Sequence, residues 1–294
     1  NHELIIHLGV AIGAEKIRFE LNAHNIKDGK DTDGICFSNS PIQDGEYKIE
    51  TSLPIELMHD FVEENKNVAE ISKALGIETM SEFFSSALAS AIFSEYGYPK
   101  LIIANNVMAH VPDLIDFMKG LEILCGPGTE ISIENPSLAN ILIGMQFDTI
   151  YHEHYSYLSL ITVEKILNSH GLMVFDVEEL ATHGGSLRVY ASQLGTRIEE
   201  PRVAILRVKE LKAGMSNIKT YTDFSDRVVT IKSEILEFFL QLRREGKKIA
   251  GYGAPAKGNT LLNYCGIGPE FLPFTVDASP HKQGNFLPGS RIPI

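Results

Sequence analysis

Residues 101–136 read LIIANNVMAHVPDLIDFMKGLEILCGPGTEISIENP, and their pattern decides the fold class. Leu101–Ala104 is a continuous apolar run, which is typical of a strand in a sheet that is covered on both faces. Pro112–Leu124 has helical character with a proline near its first turn, and Glu130–Glu134 is the next strand. A strand, a helix and a strand at this spacing predict an α/β fold with a mostly parallel sheet.

Polar residues follow these strands at the ends where ligands bind in such sheets. Glu63, Asn105–Asn106 and Glu134–Asn135 are therefore predicted on one rim of the sheet. Glu63 closes the short run Phe61–Glu63, and a carboxylate there can accept hydrogen bonds from two ribose hydroxyl groups. A solvated glutamate at the start of a helix explains the same local sequence.

Upstream of this region, two helices are predicted over Asn67–Leu75 and Ser81–Tyr96, with Ser81 as the N-cap of the second. Residues 1–60 form a β-rich segment with strand-like runs at Leu4–Leu8 and Ile17–Leu21. The segment contains no recognisable chemistry, so a structural β unit or an oligomer contact is its expected role.

Downstream, Thr162 is predicted to cap a helix that ends near His170, and strands follow at Leu172–Val177 and Ser186–Tyr190. Residues 199–245 have apolar side chains at spacings of three and four, which indicates long amphipathic helices. The domains are therefore predicted as residues 1–60, 61–198 and 199–294.

The last of these domains contains a second α/β unit with a glycine turn. Strand-like Lys248–Ala250 leads into Gly251-x-Gly253, the helix is predicted over Thr260–Tyr264, and a strand follows at Phe274–Asp277. Backbone N–H groups in such a turn can bind a phosphate, and Lys257 adds a positive charge. A tight structural turn is the competing interpretation. Asp277 occupies a position where a ribose-binding acid can lie.

Composition excludes several classes of protein. The net charge is −12, so a general nucleic-acid surface is not expected. No apolar run reaches the ~18 residues of a membrane helix, and the three cysteines are too far apart for a disulfide framework or a zinc site. The expected location is cytoplasmic. Because the chain begins at Asn1 and stops at Ile294, it is expected to be trimmed at its ends.

The densest chemistry lies at 148–157, which reads DTIYHEHYSY. Imidazole moves protons near neutral pH and a phenol can assist it, so this is a candidate for proton transfer. A satisfied polar turn is the alternative. A third interpretation is the metal site of a hydrolase, in which the ligands would be His152, His154, Asp148 and His110. An extended chain would point His152 and His154 in the same direction, whereas a tight turn would break that arrangement.

Several motifs resemble S-adenosylmethionine-dependent methyltransferases of class I. Four longer stretches resemble, more specifically, the C-methyltransferases that act on nucleotide-linked keto-deoxysugars, and the likeness covers about residues 62–294. The motifs that carry the resemblance are Leu101–Asp113, Gly126–Pro136, Phe147–Leu160 (FDTIYHEHYSYLSL), Gly184–Tyr190 (GGSLRVY), Gly251–Ile267 (GYGAPAKGNTLLNYCGI) and Val276–Ile294.

The resemblance implies a fold, a reaction and a set of site residues. The fold would be a class I methyltransferase-like Rossmann sheet followed by a second Rossmann-like α/β domain. The reaction would move a methyl group from S-adenosylmethionine to the carbon next to a ketone in a nucleotide-diphosphate deoxysugar. The implied catalytic residues are His154 as the base, with Tyr151, Glu153 and His110. The implied cofactor residues are Glu63, Asn105, Asn106 and Phe83, and the implied substrate residues are Tyr252, Gly253, Ala254, Lys257 and Asn259.

The sequence departs from the family pattern at its start. The family has a cysteine-rich zinc-binding unit and a glycine-rich first loop, and residues 34–45 contain only Ser38-Asn39 and Asp44-Gly45 as fragments of that loop. The family's chain also continues past Ile294, so the C-terminal domain is expected to be truncated. A non-catalytic relative that binds a nucleotide-sugar, or acts as an assembly module, is therefore the alternative function. Phe83 is equally well explained as a core aromatic.

Overall fold

The computed structural model describes residues 5–10, 17–21, 29–30, 36–37, 74, 76–80 and 82–294. The predicted strand Phe61–Glu63, nearly all of residues 34–45 and nearly all of the predicted helix Asn67–Leu75 lie outside these residues. Within the described part, the chain divides into two compact units. The first comprises Asn1–Glu134, Glu164–Val177 and Arg188–Glu200, and the second comprises Asn135–Val163, Glu178–Leu187 and Pro201–Ile294.

Among the described residues, the main sheet has seven strands in the order β5-β2-β1-β6-β7-β9-β8. The strands are β1 (Ile5–Val10), β2 (Ile17–Leu21), β5 (Glu78–Met80), β6 (Leu101–Asn105), β7 (Glu130–Pro136), β8 (Leu172–Leu180) and β9 (Ser186–Gln193). Two short strands, β3 (Gly29–Lys30) and β4 (Cys36–Phe37), pair with each other.

The centre of the sheet is parallel, as the apolar run at Leu101–Ala104 predicted. Strand β6 pairs in parallel with both β1 and β7. Strand β2 pairs antiparallel with β1 and with β5, so the sheet is mixed. The carboxyl end of β6 therefore lies between two parallel neighbours, which is the position where α/β sheets present ligand-binding residues.

The helices are α1 (Ser86–Tyr96), α2 (Leu114–Leu124), α3 (Leu138–Ile143), α4 (Leu160–Asn168), α5 (Pro201–Lys212), α6 (Ile218–Arg244) and α7 (Ala256–Cys265). In the first unit, the apolar faces of α1 and α2 meet through residues with no exposed surface, such as Ile92 and Phe117. The ring of Phe84 packs edge-on against Phe117 at 5.4 Å. This burial of aliphatic and aromatic surface is the main stabilising term for the unit.

Four predicted helix starts are wrong, and in three of them a different side chain caps the helix. The helix predicted from Ser81 begins at Ser86, because the Ser85 hydroxyl accepts the N–H of Leu88 at 3.2 Å. The helix predicted from Pro112 begins at Leu114 with Asp113 as its N-cap. The helix predicted over Thr260–Tyr264 begins four residues earlier, directly after Pro255.

The helix predicted from Thr162 also begins earlier, at Leu160. The Ser159 hydroxyl accepts the N–H of Thr162 at 3.3 Å, so Ser159 takes the capping role that was expected of Thr162. The predicted long helices at 199–245 are confirmed as α5 and α6.

The second unit has its own small sheet and apolar core. Strands β10 (Gly251–Tyr252) and β11 (Thr275–Val276) pair in parallel. The strand predicted at Lys248–Ala250 is wrong, because β10 begins directly after it, and β11 is shorter than the predicted Phe274–Asp277. The core beneath them joins residues of α7 to the segment that follows it, and its fully buried members are Cys265, Ile267, Leu272, Leu287 and Ile292. Helix α6 contributes Ile235, Leu236 and Phe239 to the edge of this core.

Candidate active site

The loop that carries His154 starts with a 3-10 helix over Phe147–Thr149 and ends where α4 begins. The N–H of His154 donates to the carbonyl of Tyr151 at 3.0 Å, so residues 151–154 form a turn. Of the two conformations considered, the loop therefore adopts the turn and not the extended chain. His152 has 88% of its side-chain surface exposed, whereas His154 is half-buried.

One hydrogen bond orients the imidazole of His154. Its Nδ1 atom lies 2.9 Å from the carbonyl oxygen of Thr149. Since a carbonyl oxygen only accepts, Nδ1 must carry a hydrogen and donate it. In the neutral ring, Nε2 then carries the lone pair that can take a proton. Thr149 is buried, so the accepting carbonyl is fixed by the packing around it.

Two phenol rings surround this imidazole. The ring centroids of Tyr151 and His154 are 4.5 Å apart, and Tyr157 meets His154 edge-on at 5.8 Å. Burial raises the pKa of Tyr151, and the charge of Glu153 raises it further. Burial also raises the pKa of Tyr157. Both phenols are therefore protonated near neutral pH and can donate a hydrogen bond.

Glu153 lies on the exposed side of the turn. Its carboxylate is 4.0 Å from Nε2 of His152, and its side chain is 54% exposed. The acceptor at Nδ1 of His154 is the Thr149 carbonyl, a main-chain group that residue types in the sequence cannot reveal. Thr149 is thus a residue of the candidate site that sequence reasoning missed.

A buried carboxylate from α5 holds the end of the loop. Glu210 is 1% exposed and its two oxygens accept the N–H groups of Leu160 at 2.9 Å and Ile161 at 3.0 Å. These are the first amides of α4, which have no acceptor within the helix itself. A negative charge at a helix N-terminus also interacts favourably with the helix dipole. Glu210 was not predicted, because fifty residues separate it from Leu160.

The start of the loop is held by the glycine pair of the GGSLRVY motif. The amide of Gln146 donates to the carbonyl of Gly184 at 2.7 Å, and the N–H of Ser137 donates to the carbonyl of Gly185 at 3.0 Å. Gly184 and Gly185 have φ angles of 87° and 116°, and an added Cβ at Gly185 would lie 2.3 Å from the Asn140 amide. The motif therefore needs glycine for both backbone angle and close approach.

The glycine turn at residues 253–255 joins β10 to α7 in the second unit. Gly253 has a φ angle of 89°, and the ring of Tyr252 is 95% exposed. Pro255 is the N-cap of α7 and no side chain caps its first amides, so these N–H groups can bind an anion. Lys257 and Asn259 are half-buried in the first turns of α7.

Asp277 supports this turn. Its two oxygens accept the N–H of Ala254 at 2.6 Å and of Ser279 at 2.9 Å, and Lys282 lies 3.5 Å away. The amides of Ser279 and Ala254, with the charge of Lys282, lower the pKa of Asp277. The position considered for a ribose-binding acid therefore holds a residue that fixes the turn.

The predicted rim belongs to the first unit up to Glu134, and Asn135 opens the second unit. Asn106 has a φ angle of 53°, a left-handed value that is uncommon outside glycine. Its N–H donates to the carbonyl of Glu134 at 2.7 Å, and the buried Glu134 carboxylate pairs with Arg188 at 2.8 Å. Asn105 is the last residue of β6 and lies beside Asn106.

The remaining predicted residues lie apart from the His154 loop in the chain. His110 ends a 3-10 helix over Met108–His110 in the first unit, and Phe83 lies in the same unit with 45% of its surface exposed. A fully buried core position for Phe83 is therefore excluded. Glu63 lies outside the described residues.

Among the residues that the structure describes, no three His, Cys, Asp or Glu side chains are grouped closely enough to hold a metal ion. The described helices also include none that is long and apolar enough to cross a membrane.

Two solved structures illustrate the comparison with known folds. Magnesium protoporphyrin IX methyltransferase from Synechocystis is 14% identical, with a TM-score of 0.26 over 33% of this chain and 45% of that chain. An S-adenosylmethionine-dependent methyltransferase from Anabaena variabilis is 12% identical, with a TM-score of 0.30 over 37% of this chain and 55% of that chain. Scores this low do not establish a common fold, so the family assignment rests on sequence similarity.

Residues 181–294 match the model of the C-methyltransferase C-terminal domain family. C-methyltransferase NovU of Streptomyces niveus is 35% identical over 271 residues, which are 88% of this chain and 64% of that protein. The chain thus spans less than two thirds of the length of this relative. The predicted resemblance to C-methyltransferases is confirmed: residues 181–294 match the C-terminal domain model of this family, and most of the chain is similar in sequence to a C-methyltransferase.

Proposed function

We propose that the protein is an S-adenosylmethionine-dependent C-methyltransferase that methylates the carbon next to a ketone in a nucleotide-diphosphate deoxysugar. The observation that carries the proposal is the hydrogen bond from Nδ1 of His154 to the Thr149 carbonyl at 2.9 Å. It leaves Nε2 as the basic nitrogen of a neutral imidazole, which is the group that removal of a carbon-bound proton requires. The similarity to a C-methyltransferase supports carbon as the acceptor.

The first step breaks the C–H bond beside the ketone. The proton goes to Nε2 of His154, and the electron pair moves onto the carbonyl to give an enolate. The protonated phenols of Tyr151 and Tyr157 adjoin the imidazole and would donate hydrogen bonds to the developing oxyanion. Burial and then the charge of Glu153 raise the pKa of Tyr151, so that Glu153 would help to keep that phenol protonated.

S-adenosylmethionine would supply, when bound, an electrophilic methyl group on a positively charged sulfur, and this sulfur would keep the electron pair of its broken bond to the methyl carbon. Asn105 and Asn106 would bind the adenosine part at the carboxyl end of β6, where two parallel neighbours flank the strand. The left-handed backbone of Asn106 fits such a role, since strained residues concentrate at functional sites. The exposed ring of Phe83 offers a surface for the adenine. We also propose Glu63 as a cofactor-binding residue and His110 as a catalytic residue.

The nucleotide part of the substrate is assigned to the turn at 251–259. The uncapped amides at the start of α7 and the charge of Lys257 suit a diphosphate, and the exposed ring of Tyr252 suits a nucleobase. Gly253 lets the backbone approach the phosphates, and Ala254 is fixed there by Asp277. Asn259 lies one helical turn further along the same helix.

Exchange of the substrate proton in D₂O tests the base directly. The substrates are thymidine- and uridine-diphosphate keto-deoxysugars, and NMR follows loss of the proton beside the ketone. His154→Asn should slow this exchange by about 100-fold or more, because the basic nitrogen is lost. His152→Asn is the matched control, since His152 is 88% exposed, and should exchange at the wild-type rate.

Two further measurements complete the test. Titration calorimetry should show binding of S-adenosylmethionine, and mass spectrometry should show a sugar that is 14 mass units heavier, as a methyl group in place of hydrogen requires. A folded protein that binds no cofactor at saturation would overturn the proposal. Binding of the nucleotide-sugar without methyl transfer would support the non-catalytic alternative instead.

A further inference from the structure

One helix links the proposed nucleotide site to the loop that carries His154. Helix α7 starts at the glycine turn and ends at Cys265, and all of it lies in the second unit. Lys257 and Tyr264 are seven positions apart on this helix, so they lie on the same face about 10 Å apart along its axis.

The ring of Tyr264 contacts the start of the His154 loop. Its centroid is 5.3 Å from that of Phe147, with the planes tilted by 58°. Nζ of Lys232, from α6, lies 5.1 Å from the centroid of the same ring. Tyr264 therefore has an aromatic ring and a cation as neighbours, and these contacts restrain its ring in one position.

The contact reaches His154 through a short run of main chain. Phe147 is 7% exposed and is the first residue of the 3-10 helix Phe147–Thr149. The N–H of Ile150 donates to the carbonyl of Phe147 at 3.0 Å, so the turn is closed on itself. Its last residue, Thr149, accepts the hydrogen bond that orients His154. A displacement of Phe147 would therefore move the carbonyl that holds the imidazole.

We propose that Tyr264 is a positioning residue that sets the place of His154 relative to α7. The inference rests on the proposed function, in which the first turns of α7 bind the diphosphate of the substrate. Helix α7 then positions both ends of the substrate. The nucleotide binds at the start of the helix. The reacting carbon faces His154, whose loop contacts the last turn of the helix through Phe147 and Tyr264. A misplaced base lowers the rate of proton removal without weakening nucleotide binding.

The test compares Tyr264→Leu with Phe271→Leu. Phe271 packs against the core of the same unit and meets Phe239 at 6.2 Å, so its substitution removes a similar aromatic contact away from the loop. Tyr264→Leu should lower proton exchange and kcat by about tenfold while KM stays within about twofold. Phe271→Leu should lower the unfolding temperature without changing the exchange rate. Calorimetry with thymidine diphosphate should give wild-type affinity for both variants.

A second set of variants keeps the test decisive if Tyr264→Leu does not fold. Phe147→Leu removes the contact from the other side and should give the same loss of kcat at constant KM. Tyr264→Phe keeps the ring and should restore the wild-type rate. Substituting both Phe147 and Tyr264 should cost no more than one of them alone, because they share one contact.

Two results would overturn the inference. One is a folded Phe147→Leu or Tyr264→Leu variant with wild-type exchange, and the other is an equal loss of exchange in Phe271→Leu. When either result occurs and His154→Asn still abolishes exchange, the positioning role of Tyr264 is wrong but the proposed function stands. If His154→Asn exchanges normally, the proposed function itself fails.

Discussion

The rim of the main sheet and the loop around His154 hold their polar groups by different means. At the rim, two charged side chains bind each other, since Arg188 lies 2.8 Å from Glu134. In the loop, side chains bind the main chain: Glu210 accepts two amides of α4, and His154 donates to the carbonyl of Thr149. When two side chains bind each other, substitutions can change both of them together. When a side chain binds a main-chain group, substitution cannot remove that group. The rim should therefore tolerate paired substitutions that the loop does not.

The largest effect is expected for Glu210→Ala, which leaves two amides at the start of α4 without their acceptor. Each unsatisfied group costs about 1–3 kcal/mol, so the free energy of unfolding should fall by about 4 kcal/mol in a urea titration. Glu179→Ala is the matched control, because Glu179 pairs with Lys209 at the surface and is 49% exposed. That pair should contribute below about 1 kcal/mol. Equal losses in the two variants would mean that Glu210 is not a special support.

A smaller effect is expected at the rim. Arg188→Met leaves the buried Glu134 carboxylate without its cation and should lower the free energy of unfolding by about 3 kcal/mol. Adding Glu134→Leu should recover most of this loss, because the uncompensated charge is then removed. The same urea titration measures both variants. Additive losses in the double variant would show that the two regions do not differ in this respect.

The smallest effect is expected for Asp277→Asn at the glycine turn. Because the folded protein lowers the pKa of Asp277, its stabilisation is complete above the unfolded value of about 3.9 and is lost as the pH falls through the folded value. The variant should be less stable by about 1 kcal/mol at pH 7, and the difference should shrink below about pH 4. Thermal unfolding across this pH range measures it. A difference that does not change with pH would point to packing rather than charge.

The difference between the two regions also explains what the sequence could predict. The apolar run at Leu101–Ala104 predicted a strand with parallel neighbours, because burial on both faces requires apolar side chains throughout. Regular apolar spacing predicted the long helices α5 and α6. These features depend on residue type and on neighbours close in sequence.

The contacts that hold the His154 loop cannot be predicted from residue type or from neighbours close in sequence. The acceptor at Thr149 is a carbonyl that any residue has, and Glu210 reads as an ordinary charged residue of an amphipathic helix. Helix starts were misplaced for a related reason. Ser81 and Ser85 are chemically identical candidates, and tertiary packing selects Ser85 as the N-cap. Residue chemistry identified the imidazole and phenols at 151–157, whereas the contacts that orient them required the structure.

The capping of α4 by Glu210 also sets an order of events during synthesis. The amides of Leu160 and Ile161 receive their acceptor only after fifty further residues have been added. At about 5–20 residues per second, this delay is roughly 3–10 s. Phe147 meets Tyr264 later still. A growing chain on the ribosome therefore contains β6 and β7 well before the His154 loop is supported at both ends, and that loop is among the last parts of the protein to mature.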